Sequence, residues 1–215
     1  MNLEGAIFDL DGVIVETVPL HFKAWRRMFN QYGKDFTFQD YKEKVDGIPR
    51  MDGARAILHQ LSKEELEKAA SKKQEYFLDL LEKEGVKIYE STLDLIDKLK
   101  KNNTKVAVIS SSKNCLHILK KAGIINLFKV IITGNDIKRG KPNPDVFLLA
   151  ALRLNLEPKQ CIVFEDAVLG VEAAKRADMI CIGIDRYHDP KRLSKADLVV
   201  SDLSKVTVEK LKALF

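Results

Sequence analysis

The feature that most constrains this chain is a set of six short apolar runs rich in β-branched residues, with one long gap between the first and the second. The runs are Gly5-Ala6-Ile7-Phe8, Val106-Ala107-Val108-Ile109, Val130-Ile131-Ile132, Cys161-Ile162-Val163-Phe164, Ile180-Cys181-Ile182-Gly183-Ile184 and Leu198-Val199-Val200. Runs of this length and composition, without polar alternation, are the pattern of strands buried on both faces. Between the later runs lie segments of helical period with visible start signals. Ser91 precedes Leu93 to Leu99, Asn143-Pro144 precedes Phe147 to Leu154, and a further segment covers Ala167 to Ala177. Strands alternating with helices predict an α/β fold with a parallel, doubly wound sheet.

The gap breaks that alternation. From Glu16 to Gly85 the periodicity is helical almost throughout, so residues 16–85 are expected to form an inserted helical domain, and residues 1–15 with 86–215 the sheet domain. Thr17 with Pro19 signals a first helix and Gly33 its end. Ser62-Lys63-Glu64-Glu65 has the form of a capping box, opening an amphipathic helix over 63–84. In that helix Leu66, Ala69, Ala70, Phe77, Leu80 and Leu81 are placed to face a bundle core.

Composition narrows the partners. The formal charge of +5 arises from 36 basic and 31 acidic residues mixed along the chain, with no long basic block to track a nucleic-acid backbone. A mildly basic surface does suit a small phosphorylated anion. Cys115, Cys161 and Cys181 are odd in number and widely spaced, and read as reduced core residues. His21, His59, His117 and His188 make no metal-ligand spacing. With no apolar run long enough for a bilayer and no leader pattern after Met1, the expectation is a cytoplasmic protein, with a monomer as the default.

Ligands of open α/β sheets bind at the carboxyl ends of the strands, so the polar residues after each run are the candidates for chemistry. The first run is followed by Asp9-Leu10-Asp11-Gly12-Val13. One carboxylate there can act as a nucleophile in a two-step phosphoryl transfer, and a second can move protons to and from the exchanging oxygens. Ser110-Ser111-Ser112-Lys113-Asn114 follows the second run and offers hydroxyls and backbone N–H groups to phosphate oxygens. Lys141-Pro142, after the third, supplies an ammonium for a transferring group. Glu165-Asp166, after the fourth, supplies hard oxygen ligands suited to Mg²⁺. Each alone has an ordinary explanation as a turn, a helix cap or a solvated charge. Together, in order and each at a strand end, they are far harder to explain that way. Gly134 to Lys141 ends in Gly-Lys, but five residues rather than four separate its two glycines, and Pro142 stands where a P-loop has Ser or Thr.

These four segments, with Gly170, resemble the signature motifs of the haloacid dehalogenase superfamily across the whole chain. The resemblance implies a Rossmann-like core with Asp9 as nucleophile, Asp11 as general acid and base, and Ser110, Ser111 and Lys141 on the transferring phosphoryl group. It also implies Mg²⁺ held by Asp9, Asp11 through its backbone, and Asp166, with Glu165 at or near the metal, and a helical cap over residues 16–85 that closes to exclude water.

The finer pattern is similar to the β-phosphoglucomutase-like subfamily. His21-Phe22-Lys23-Ala24-Trp25, Gly47-Ile48-Pro49-Arg50 and Ser112-Lys113-Asn114 carry that likeness, and Thr17 falls at the hinge threonine. The likeness implies that His21, Trp25 and a cap lysine couple binding to closure, and that Gly47, Arg50, Ser112, Lys113 and Asn114 form a second pocket for the phosphate not being transferred. Lys72 is the choice for that lysine, with Lys73 adjacent as the alternative. Two phosphate pockets are what a mutase acting on a sugar phosphate needs, whereas a phosphatase for small sugar-phosphate monoesters needs one. A phospho-acceptor module without catalysis would leave Asp11 and the helical insert without a role.

Overall fold

The computed structural model describes residues 2–215. Each apolar run is a strand: β1 (Gly5–Asp9), β2 (Lys105–Ile109), β3 (Val130–Ile132), β4 (Cys161–Glu165), β5 (Ile180–Ile184) and β6 (Leu198–Val200). They form one parallel sheet in the order β3-β2-β1-β4-β5-β6. β1 is central, with Asp9 level with Ile109 of β2 and Phe8 level with Phe164 of β4. The chain winds outward in both directions from β1, so the carboxyl ends of β1, β2 and β4 frame the crevice where such sheets bind ligands.

Between β1 and β2 come α1 (Val18–Gln31), the short α2 (Phe38–Asp40) running into a π-helical turn (Tyr41–Val45), α3 (Arg50–Ile57) and α4 (Lys63–Glu84). α1 buries Leu20, Ala24, Trp25, Met28 and Phe29, and α4 buries Leu66, Ala69, Ala70, Lys73, Phe77 and Leu81. The Ser62–Glu65 capping box opens α4, and Gly85 at φ +74° closes it. Gly53 lets α3 lie on the Trp25 ring, since a Cβ there would come within 2.8 Å of it. The chain enters and leaves this insert side by side: Glu16 N donates to Lys87 O, and Tyr89 N to Ile14 O, each at 2.9 Å.

The remaining helices cover the sheet. α5 (Glu90–Lys101), α6 (Cys115–Lys121) and α9 (Val208–Lys212) bury residues in one apolar cluster, with Ala6 and Phe8 of β1. α7 (Asp145–Leu154) and α8 (Val168–Arg176) pack on the other face with Ile7. Phe8 stacks on Phe164 at 4.3 Å, which ties the two strands that carry the acidic residues. α5 starts one residue before the predicted Ser91 cap, at Glu90, and the Ser91 hydroxyl donates to Asp202 instead. Among the described residues no helix is long and apolar enough to cross a membrane.

Candidate active site

A cavity of about 270 Å³ lies between the strand ends and the insert, with Asp9, Asp11, Ser110, Lys141, Glu165 and Asp166 on its sheet side. Lys141 Nζ donates to Asp9 Oδ1 at 2.6 Å and also to Glu165, and all three are almost wholly buried. Burial alone would lower the ammonium's pKa, but the two carboxylates carry it well above the usual lysine range. Asp9 is raised well above an ordinary aspartate by burial, with Glu165 and Asp11 adding to the rise against the pull of Lys141.

Glu165 has a buttressing geometry. One oxygen meets Lys141, and the other accepts from the backbone N–H groups of Asp166 and Ala167 at 3.0 Å each. The glycine at 170 follows from this, because a Cβ there would fall 2.0 Å from the Glu165 carboxyl. Asp11 is equally engaged: Ser110 Oγ donates to Oδ2 at 2.9 Å, Thr17 Oγ1 donates to Oδ1, and His21 Nε2 stands 3.4 Å away. Burial works against ionisation here, yet the contacts with His21, Thr17 and Ser110 bring the Asp11 pKa down to about 2. Thr17 occupies the cap position of α1 without capping it, since its hydroxyl is spent on Asp11.

The expected set thus divides: the Asp11 side chain is held by Ser110, Thr17 and His21, which leaves only its backbone for a metal, and Glu165 is held by Lys141 and two backbone N–H groups, beside Asp9 and Asp166. Among the described residues no group of three or more His, Cys, Asp or Glu side chains converges as a metal cage. What remains suits a hard cation that keeps water and phosphate ligands. Asp166 Oδ2 is buried with no hydrogen-bond partner, packed where a side chain on Gly12 would overlap it. Burial, then the charges of Asp46, Glu165 and Asp9, hold the Asp166 pKa well above its ordinary value, a strain that a cation beside Asp9 and Asp166 relieves.

The insert side of the cavity is cationic. Lys73 Nζ donates to His21 Nδ1 at 2.8 Å and lies over the Trp25 and Phe77 rings at 5.1 and 4.9 Å. With Nδ1 accepting, the ring proton of a neutral His21 is on Nε2, the nitrogen nearest Asp11. Burial, followed by the charge of Lys73, pushes the His21 pKa down and favours that neutral form. Lys73 is itself lowered to about 7 by burial and by the charge of Arg50. This corrects the choice of Lys72 as the cap lysine: Lys72 is exposed, pairs with Glu75 at 2.6 Å and does not line the cavity, which Lys73 does. The helical period carried that distinction, since Ala70, Lys73 and Phe77 share a face and Lys72 does not.

Arg50 donates to Gln74, whose amide makes a reciprocal pair with Asn114. Gly47 O accepts from Ser111 Oγ at 3.2 Å. Ser112 and Lys113 also line the cavity, Lys113 from an exposed position. Gln74 and Asp46 were absent from the sequence-based set. Gln74 follows Lys73 on the same flank of α4, a signal within reach. Asp46 had none, because its partners lie far along the chain.

Residues 6–184 match the family described as haloacid dehalogenase-like hydrolase. The chain belongs to that family. This haloacid dehalogenase-type enzyme is of the β-phosphoglucomutase-like subfamily. It is 33% identical over 216 residues to the β-phosphoglucomutase of Bacillus subtilis strain 168, covering 97% of this chain and 94% of that one. It is 34% identical over 194 residues to a phosphorylated carbohydrates phosphatase of Thermotoga maritima, covering 86% and 84%. Its fold is similar to the crystal structure of a β-phosphoglucomutase from Clostridium difficile, with a TM-score of 0.89 and 33% identity over 98% of this chain and 96% of that one.

Proposed function

We propose that this enzyme is a Mg²⁺-dependent phosphotransferase that converts β-glucose 1-phosphate to glucose 6-phosphate through the 1,6-bisphosphate, by way of a phosphorylated Asp9. The observation that carries this reading is the two-sided charge of one cavity: Lys141 beside Asp9 at the strand ends, and Arg50 with Lys73 on the insert. A sugar bisphosphate places an anion against each side, while a monoester uses only one. The likeness to a β-phosphoglucomutase over nearly the whole chain supports it.

In the first half of the cycle an Asp9 carboxylate oxygen bonds to phosphorus as the sugar P–O bond breaks, and the departing oxygen takes a proton from Asp11. In the second half a sugar hydroxyl gives its proton to Asp11 while its oxygen bonds to phosphorus and the aspartyl P–O bond breaks. Asp11, ionised near neutral pH in the ligand-free protein, is ready for this second half. Lys141 balances charge on the transferring group, with Ser110 and Ser111 at its oxygens, and Arg50, Ser112, Lys113 and Asn114 take the distal phosphate. Asp9 and Asp166 would hold the magnesium ion, which when bound supplies positive charge to the phosphoryl oxygens. The same reading has the protein act as a cytoplasmic monomer on a small sugar phosphate, without nucleic-acid or membrane partners.

Water in place of the sugar hydroxyl gives the second reading, a phosphatase of sugar-phosphate monoesters, favoured by the name of the Thermotoga relative. Parallel assays of isomerisation and phosphate release separate the two, with Mg²⁺, β-glucose 1-phosphate and a trace of glucose 1,6-bisphosphate. Glucose 6-phosphate forming well ahead of free phosphate is the expected result, and phosphate forming first establishes the hydrolase. Asp9→Asn should abolish both, by a factor of about 10⁴ or more, and retained turnover in that variant would sink the covalent mechanism.

A further inference from the structure

One loop of the sheet domain has no place in this chemistry, yet it touches the insert and its entry point together. After β5 the chain folds back on itself: buried Asp185 Oδ1 accepts from the N–H groups of Tyr187 and Asp189 at 3.1 Å each, and His188 takes φ +55°. Two consecutive side chains then serve two different regions. Arg186 Nε donates to the Gly12 carbonyl at 2.7 Å, and its guanidinium lies 3.6 Å from the centre of the Tyr89 ring. Gly12 follows Asp11, and Tyr89 belongs to the outgoing crossing of the insert. Tyr187 reaches the insert itself, its hydroxyl donating to Asp46 Oδ2 at 3.2 Å and its ring meeting Phe38 edge-on at 5.6 Å. Arg192 stacks on the Tyr187 ring at 4.4 Å and brings Nη2 to 3.9 Å from the same Asp46 oxygen.

Asp46 sits directly before Gly47-Ile48-Pro49-Arg50, in the cavity wall, with only 8% of its side chain exposed. A carboxylate so buried is costly unless hydrogen-bonded and paired; Tyr41 beside it belongs to the insert, but Tyr187, its hydroxyl donor, and Arg192, its cation, come from the sheet domain. The contacts of Tyr187 and Arg192 with Asp46 exist only while the insert lies against the sheet, so their energy favours that arrangement over any in which the two separate.

We infer that residues 185–192 are a strap that holds the insert shut: Arg186 fixes the crossing, while Tyr187 and Arg192 hold Asp46 and through it the Arg50 loop. Tyr187 and Arg192 are thus positioning residues. The inference rests on the phosphoryl-transfer reading only for its kinetic arm.

The chain carries a single tryptophan, Trp25, which lines the cavity and is 3% exposed in the shut arrangement. Its quenching by acrylamide in the ligand-free, full-length protein therefore reports separation of insert and sheet. Tyr187→Phe removes the hydroxyl and keeps the ring, and Arg192→Met removes the charge. Loss of one such bond shifts the shut-to-open ratio about tenfold, about 1.4 kcal/mol. The expected result is Trp25 quenching raised severalfold in both variants, with unchanged far-ultraviolet circular dichroism. The KM for β-glucose 1-phosphate should rise about tenfold while kcat changes less. Quenching that stays at the parent level in both variants overturns the strap, whatever happens to KM. Raised quenching in both variants of a parent protein that turns over no sugar phosphate would sink the phosphoryl-transfer reading and leave the strap standing.

Discussion

The two walls of the cavity hold charge in opposite ways. The sheet side sets Asp9 and Glu165 on one ammonium with the buried Asp166 beside them, on backbone fixed by strand register. The insert side gathers Lys73 and Arg50 with neutral partners, His21 and Gln74, on helices that meet the sheet domain through a few side chains. A carboxylate cluster with one lysine is short of positive charge, while Lys73 and Arg50 on the insert are hydrogen-bonded to neutral groups rather than to carboxylates. On the proposed function the first wall would receive a metal and a phosphoryl group, and the second an anion that arrives with the ligand. Breaking one member of each wall should therefore give failures of different kind.

The largest effect belongs to Lys141→Met. It leaves Asp9 and Glu165 buried with no cation between them, and breaking a buried pair in this way costs about 3–5 kcal/mol. Turnover should fall by roughly 10²–10³ through loss of charge balance on the transferring group. Denaturant melts and single-turnover kinetics check both, and a variant as stable as the parent would mean that the pair contributes nothing net.

Lys73→Met should do the reverse to stability. The folded-state pKa of Lys73, about 7, lies below the unfolded value of about 10.4. Below pH 7 both states hold the proton, and the folded state bears the full burial penalty. Between pH 7 and about 10.4 the unfolded chain holds a proton that the folded chain lacks, so this group makes stability rise with pH. Replacing it with methionine should stabilise the ligand-free protein by about 2 kcal/mol at pH 6 and by progressively less toward pH 10. Equal pH profiles for parent and variant would refute a depressed Lys73. In the parent, a phosphorylated ligand restores the charge and should take up a proton on binding, which calorimetry in buffers of different ionisation enthalpy detects.

The contrast also explains what the sequence made legible. Every strand was readable because a buried parallel strand needs an unbroken apolar run, and β1 beside β2 and β4 then forces Asp9, Ser110 and Glu165 together. The long helix at 63–84 was readable from its capping box. Lys73 was readable in principle from the helix face it shares with Ala70 and Phe77. The part of Glu165 was not, because a carboxylate after a strand looks the same whether it binds a cation directly or braces a lysine and a turn. Asp46, Tyr187 and Arg192 were beyond reach, since nothing local marks three residues that meet only when the insert folds over a distant loop.

The smallest effect sharpens the comparison most. Gln74 joins the walls: its carbonyl accepts from Arg50, and its amide is exchanged with Asn114. Gln74→Ala leaves both cations in place and removes only the group that aims Arg50, so stability should change by less than about 1 kcal/mol. Discrimination between two anions should suffer more: the KM for a sugar bisphosphate should rise roughly three- to tenfold, while hydrolysis of a small monoester changes little. If both substrates lose equally, Arg50 is not aimed at a distal phosphate, and the insert wall serves a single anion.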